Sequence, residues 1–114
     1  MIVRNIKQDI VAKRWYVAHE GGKATMLFAS GELDGLLFFA HAELKPGKEI
    51  QEHLDTYEEI YYFVKGTGLM SVGGESQQVK AGDAAWLPYG VPHRLLNNGE
   101  EDCIFVVAAA EPAH

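Results

Sequence analysis

The sequence predicts an all-β fold, a small sandwich or barrel, on two observations. Turn-forming residues recur at short intervals: Gly21-Gly22, Gly31, Gly35, Pro46-Gly47, Gly66, Gly68, Gly73-Gly74, Gly82-Asp83, Gly90 and Asn98-Gly99. Between them lie short runs rich in aromatic and β-branched residues, and short strands spaced by turn signals are the mark of a sandwich or barrel. The chain has 114 residues, of which 47% are hydrophobic, enough for a single domain with one core.

Residues 1–15 offer only a weak helical turn. Strands are expected at 25–29, 36–44, 59–65, 69–72, 77–79, 84–87, 93–97 and 103–109. In 59–65, Glu59, Tyr61 and Phe63 share one face, while Ile60, Tyr62 and Val64 share the other. Residues 103–109 repeat this pattern, with Cys103, Phe105 and Val107 against Ile104, Val106 and Ala108. Both faces are apolar, so the outer one needs a second sheet or a partner subunit, and a homodimer is expected. Residues 98–102 read as a solvated hairpin tip, and 111–114 as a frayed tail.

Two blocks of fixed spacing carry the chemistry. The first is Gly47, five residues, His53, one residue, Asp55, three residues, Glu59, six residues, Gly66. The second is Gly82, five residues, Pro88, one residue, Gly90, two residues, His93, three residues, Asn97. His and Glu are metal-ligand types, and Gly and Pro form turns. His53 and Asp55 are two apart and share a face if extended. Glu59 follows past a kink at 56–58, and His93 arrives from a distant strand through a rigid Pro-Gly turn. Two imidazoles and a carboxylate converging from two strands suit Fe(II), Mn(II) or a related ion and leave coordination positions open.

These blocks resemble the two motifs of the cupin family over residues 36–110, with every motif position matched except one. The resemblance implies a double-stranded β-helix, or jelly-roll barrel, holding one divalent metal (Fe, Mn, Ni or Zn), and it also favours a dimer. It places His53, Glu59 and His93 at the first His, the Glu and the last His of the family's metal site. Asp55 stands where the family usually has a second His. A carboxylate there reaches less far than an imidazole. Together with Glu59 it neutralises a divalent ion and favours harder metals such as Mn(II), Fe(II) or Mg(II). Without a metal, the crowded carboxylate pair raises one pKa. Asp55 is expected as ligand or as acid/base.

Further residues are candidates for the pocket. Tyr61 shares parity with Glu59, and its phenol suits a substrate contact. His41, in the strand entering Pro46-Gly47, is a candidate pocket acid. Tyr57 closes over the metal or lies at its rim. Asn97 fixes backbone. His19 and His114 have no partner identifiable from sequence, and Cys103 reads as a small core residue. Residues 1–35 are expected as an arm, an edge strand packing on the barrel or on a dimer partner, with 10–16 as an alternative lid.

Composition excludes several function classes. Sixteen acidic residues stand against 10 basic ones, a formal charge of −6, and the basic residues are scattered, which disfavours nucleic acid. No apolar run reaches the roughly 18 residues of a membrane span. One cysteine and no recognisable leader fit a cytoplasmic protein with a small-molecule ligand. The expected function is that of a metal-dependent enzyme of dioxygenase, decarboxylase, isomerase or lyase type. A non-catalytic binding module is the alternative.

Overall fold

The computed structural model describes residues 1–19 and 21–112. One short helix, α1 (Asp9–Ala12), precedes ten strands: β1 (Trp15–Ala18), β2 (Gly22–Phe28), β3 (Phe38–Leu44), β4 (Glu49–His53), β5 (Glu58–Lys65), β6 (Thr67–Val72), β7 (Glu75–Lys80), β8 (Ala84–Leu87), β9 (His93–Leu96) and β10 (Cys103–Ala110). They form two antiparallel sheets, one of six strands in the order β1-β2-β3-β10-β5-β8 and one of four in the order β4-β9-β6-β7. This is the jelly-roll arrangement expected from the motifs. Among the described residues, no helix is long and apolar enough to cross a membrane.

The core lies between the sheets. Alternation on β5 buries Glu59, Tyr61 and Phe63, and on β10 it buries Cys103, Phe105, Val107 and Ala109. The opposite parity points outward and is not covered by a second sheet. Ile60, Tyr62, Val64 and Trp86 remain about half exposed. Trp86, Ile60 and Tyr62 fall in two cross-strand rows, Trp86–Ile60–Ala108–Phe39 and Ala84–Tyr62–Val106–His41.

Two strands, β1 and β4, lie outside the sequence expectation. In β4 only Ile50 is buried, and β1 is nearly all exposed, so neither carries a hydrophobic period. Each is held by pairing, β1 on β2 and β4 on β9. Residues 1–35 thus contribute β1 and β2 to the six-stranded sheet of the same chain. Arg4 and Arg14 both contact Glu32, and Arg4 also donates to the Leu27 carbonyl at 2.9 Å. Of the tail, residues 113 and 114, including His114, lie outside the described residues.

The motif residues other than the ligand types set backbone geometry. Asn97 is fully buried, and its amide donates to the carbonyls of Leu44 (2.8 Å) and Glu101 (2.9 Å). Its own carbonyl accepts from Gly47 N–H at 2.8 Å. The side chain therefore ties the end of β3 to the turn after β9, and the backbone carbonyl of the same residue holds the Pro46-Gly47 turn. Gly66 has φ +80°, and a Cβ there would lie 2.4 Å from the Asp102 carbonyl oxygen.

Candidate metal centre

β4 and β9 place His53 opposite His93, past a register irregularity between Ile50 and His53. The Pro88–Gly90 turn is tied back to the first motif, because Gly90 N–H donates to the Asp55 carbonyl at 3.0 Å. Arg94, next to His93, donates twice to Glu49 on β4 and staples the two strands beside the site. Glu59 enters from β5 in the other sheet. His53, Asp55 and His93 reach one point between the sheets, and Glu59 comes up to it beside His93.

The donor atoms converge closely. Nε2 of His93 lies 3.0 Å from Nε2 of His53, 3.5 Å from Asp55 Oδ2 and 3.6 Å from Glu59 Oε1. Asp55 Oδ2 is 3.2 Å from His53 Nε2. Nδ1 of His53 meets the Gln51 carbonyl at 2.9 Å. A carbonyl only accepts, so Nδ1 carries the hydrogen and Nε2 is left with its lone pair facing the cluster.

His53, Asp55 and His93 form a group that can hold a metal ion. Donors about 2.1 Å from a common ion lie about 3.0 Å apart on an octahedral edge and about 3.4 Å apart on a tetrahedral one, which matches these separations. Glu59 Oε1 is buried and has no hydrogen-bond partner. An orphaned buried carboxylate oxygen is costly, and a cation beside it removes the cost. The chain's residues therefore fit a divalent ion.

The electrostatics agree. Burial, then a hydrogen bond and the charge of Asp55, pushes Glu59 up to about 8, the crowded pair expected from the spacing. Burial and the neighbouring His53 push His93 down to about 4. Both imidazoles and both carboxylates are ligands only when deprotonated. His93 is thus already in its ligating form near neutral pH, and Glu59 is not.

A cavity of about 50 Å³ opens on the cluster. Tyr61 lines it, 4% exposed, its ring tilted at 35° against Phe105 with centroids 4.7 Å apart. Tyr57 lines it too, edge-on to Phe38 at 5.7 Å. Burial and the nearby carboxylates raise both phenols above their ordinary range, so both remain protonated donors. His41 does not reach the cavity. Alternation on β3 turns Ala40 and Ala42 inward and sends His41 to the outer sheet face between Thr25 and Val106. The expectation that His41 is a pocket acid is corrected accordingly.

At the cavity mouth stand Tyr16, the last residue of the stretch 10–16 expected as an alternative lid, and His19, which the sequence left without a partner. Tyr16 lines the cavity, and His19 stacks on His53 with ring centroids 3.5 Å apart and planes at 19°. The close approach of this hairpin depends on Gly21, where a Cβ would sit 1.8 Å from the Glu49 carbonyl oxygen. The available signal was Trp15-Tyr16-Val17-Ala18 followed by Gly21-Gly22, an apolar run and a turn that pair with the next strand.

The family model described as Cupin domain matches residues 40–109. A Thermotoga maritima protein named oxalate-binding protein is 35% identical over 69 residues, covering 60% of this chain and 57% of that protein. The polyketide synthase CurC of Streptomyces cyaneus is 33% identical over 70 residues, 60% of this chain and 46% of that protein. This chain spans about half the length of these two curated relatives. A crystal structure of a cupin 2 conserved barrel domain protein from Salinispora arenicola superposes with a TM-score of 0.80 at 19% identity, covering 99% of this chain and 91% of that one. At that identity the likeness is one of fold.

Proposed function

The chain belongs to the cupin family, and we propose that it is a metal-dependent enzyme holding one divalent cation at His53, Asp55, Glu59 and His93 and acting on a small polar metabolite. The observation that carries this reading is the buried, unpartnered Glu59 oxygen beside two imidazole nitrogens 3.0 Å apart. The bound ion would supply Lewis-acid stabilisation of charge on substrate oxygens or, if redox-active, a site for O₂. His53 and His93 hold it, and the two carboxylates cancel its charge. Tyr57 and Tyr61 donate hydrogen bonds to ligand oxygens, and Phe38, Phe105 and Val107 exclude water.

A relative named oxalate-binding protein favours a small carboxylate among the possible ligands, and it keeps a binding module as the second reading. Protein reconstituted under nitrogen with Fe(II), Mn(II), Ni(II) or Zn(II) separates the two. O₂ uptake and CO₂ release are followed with small carboxylates, hydroxy-ketones and diketones. Turnover with one ion and none in the metal-free protein is expected. Ligand binding without turnover under any ion would leave only the binding module.

Metal affinity should depend on pH in a defined direction. Glu59 holds a proton up to about pH 8, and binding must expel it. Mn(II) affinity should therefore rise about tenfold per pH unit between 6 and 8, then flatten. Calorimetry in buffers of different ionisation heat should find about one proton released per ion at pH 6.5 and none near pH 9. A proton count that does not change with pH would remove Glu59 from the ligand set.

We further infer that a second copy covers the outer face of the six-stranded sheet. Its two rows contain no side chain charged at neutral pH apart from any protonated His41. A flat apolar face of this kind packs on itself about a two-fold axis. Sedimentation at micromolar concentration should give the mass of two chains, and Tyr62→Lys should give one. A single-chain mass for the wild type would refute it.

A further inference from the structure

We propose that β1 is a displaceable wall of the metal cavity, that His19 is its latch, and that together they select ligands small enough to enter beneath or able to displace them. This rests on the metal reading above for the identity of the centre and adds how a ligand reaches it. The cavity of about 50 Å³ has room for little beyond an ion and a water, whose share of liquid volume is about 30 Å³. Small-molecule sites are usually several-fold larger, about 300 Å³ or more. A metabolite therefore requires one wall to move.

The walls differ in what holds them. Phe38, Tyr61, Phe105 and Val107 are at most 6% exposed and belong to the central core. Moving them would unmake the barrel. Tyr16, Ala18 and His19 form another side, and Tyr57 and Ile50 complete the lining with the donors and Ala24 and Ala42. Trp15, Tyr16 and Val17 are 51%, 42% and 58% exposed, and β1 pairs along one edge only, with β2. Segments with few buried contacts and a free edge open at low free energy. The chain just before β1 is fixed, because Arg14 contacts Glu32 and its carbonyl accepts from Met26 N–H at 3.1 Å. Motion is thus confined to β1 itself.

His19 gives this wall two states. Its φ is +48°, the only positive value on a non-glycine among the described residues. That conformation is unfavourable for an L-residue and is compensated by the ring stack on His53. Breaking the stack releases the strain, so a ligand that displaces the ring is opposed by less than the stack alone. Ala24 and Ala42 follow Tyr16 in one cross-strand row and line the cavity with small side chains. Burial, then the charges of Glu59 and Asp55, raises the Tyr16 phenol, so it stays a protonated donor on the cavity side. The ligand class this serves is a small molecule with two or more oxygen acceptors.

Two measurements test the proposal. Hydrogen exchange on the metal-free protein should show the amides of β1 exchanging at least about 100-fold faster than those of β10. In Co(II)-loaded protein, His19→Ala should speed the binding of 4-nitrocatechol about tenfold while changing azide binding less than about twofold. Co(II) affinity should stay within about threefold. Trp15 emission in a Trp86→Phe background should shift with 4-nitrocatechol and not with azide. Equal protection of β1 and β10, or equal 4-nitrocatechol rates with and without the His19 ring, would overturn the gate. Failure of both proteins to take Co(II) would defeat the metal reading instead, and hydrogen exchange alone would then decide whether β1 is displaceable.

Discussion

His93→Ala is expected to weaken divalent-cation binding by more than about 100-fold, since even outer partners of metal ligands are worth about 10–100-fold. His93 is 2% exposed, and its Nε2 lies within 3.6 Å of donor atoms of His53, Asp55 and Glu59. Removing it breaks the link between the two sheets' donors. The fold should survive. The imidazole is held neutral by burial, down to about 4, so its loss leaves no unpaired charge behind. His41→Ala is the matched control, because His41 stands on the outer face of β3 and its loss should leave affinity unchanged. Titration with Mn(II) followed by EPR reads both variants. Retained affinity in His93→Ala, or equal losses in both, would contradict the assignment.

Gly66→Ala should cost about 3–5 kcal/mol of stability. Two independent penalties coincide there. The backbone is at φ +80°, and the new Cβ would meet the Asp102 carbonyl oxygen at 2.4 Å and the Cys103 Cα at 3.0 Å. Both are backbone atoms of the chain entering β10, which cannot yield without shifting the central strand of the larger sheet. Gly74→Ala separates the penalties, since its φ is +92° but nothing lies within 4 Å. That variant should lose only about 1–2 kcal/mol. Urea unfolding of both gives the comparison, and equal losses would show that the close approach contributes nothing.

What could be read in the sequence follows from how each feature is encoded. The strands β5, β8 and β10 carry a period of two with apolar residues on both faces, and local pattern sufficed for them. The sequence Glu49–His53 buries only Ile50, so β4 is defined by its pairing with β9, which no local pattern reports. β1 is likewise defined by its partner.

The convergence of His53, Asp55 and His93 was legible because their spacing and the turn residues between them repeat a known motif. His41 was misplaced for a different reason. Period-two alternation fixes which residues share a face but not which face is inside. On β3 the inside holds Ala40 and Ala42, which crowding beside the cavity keeps small. His19 and Tyr16 depend on a hairpin folding over β4; the run 15–18 and Gly21-Gly22 signal the hairpin, but not the long-range contact that Gly21 permits.

The central claim is that these donors hold one divalent ion, and elemental analysis of the wild type and Asp55→Ala in parallel tests it most directly. Both are reconstituted with Mn(II), Fe(II), Ni(II) or Zn(II) and dialysed against metal-free buffer. About one ion per chain in the wild type, lost in Asp55→Ala, is the expected result for a carboxylate 3.2 Å from one ligating nitrogen and 3.5 Å from the other. A wild-type protein that retains none of these ions would contradict the account.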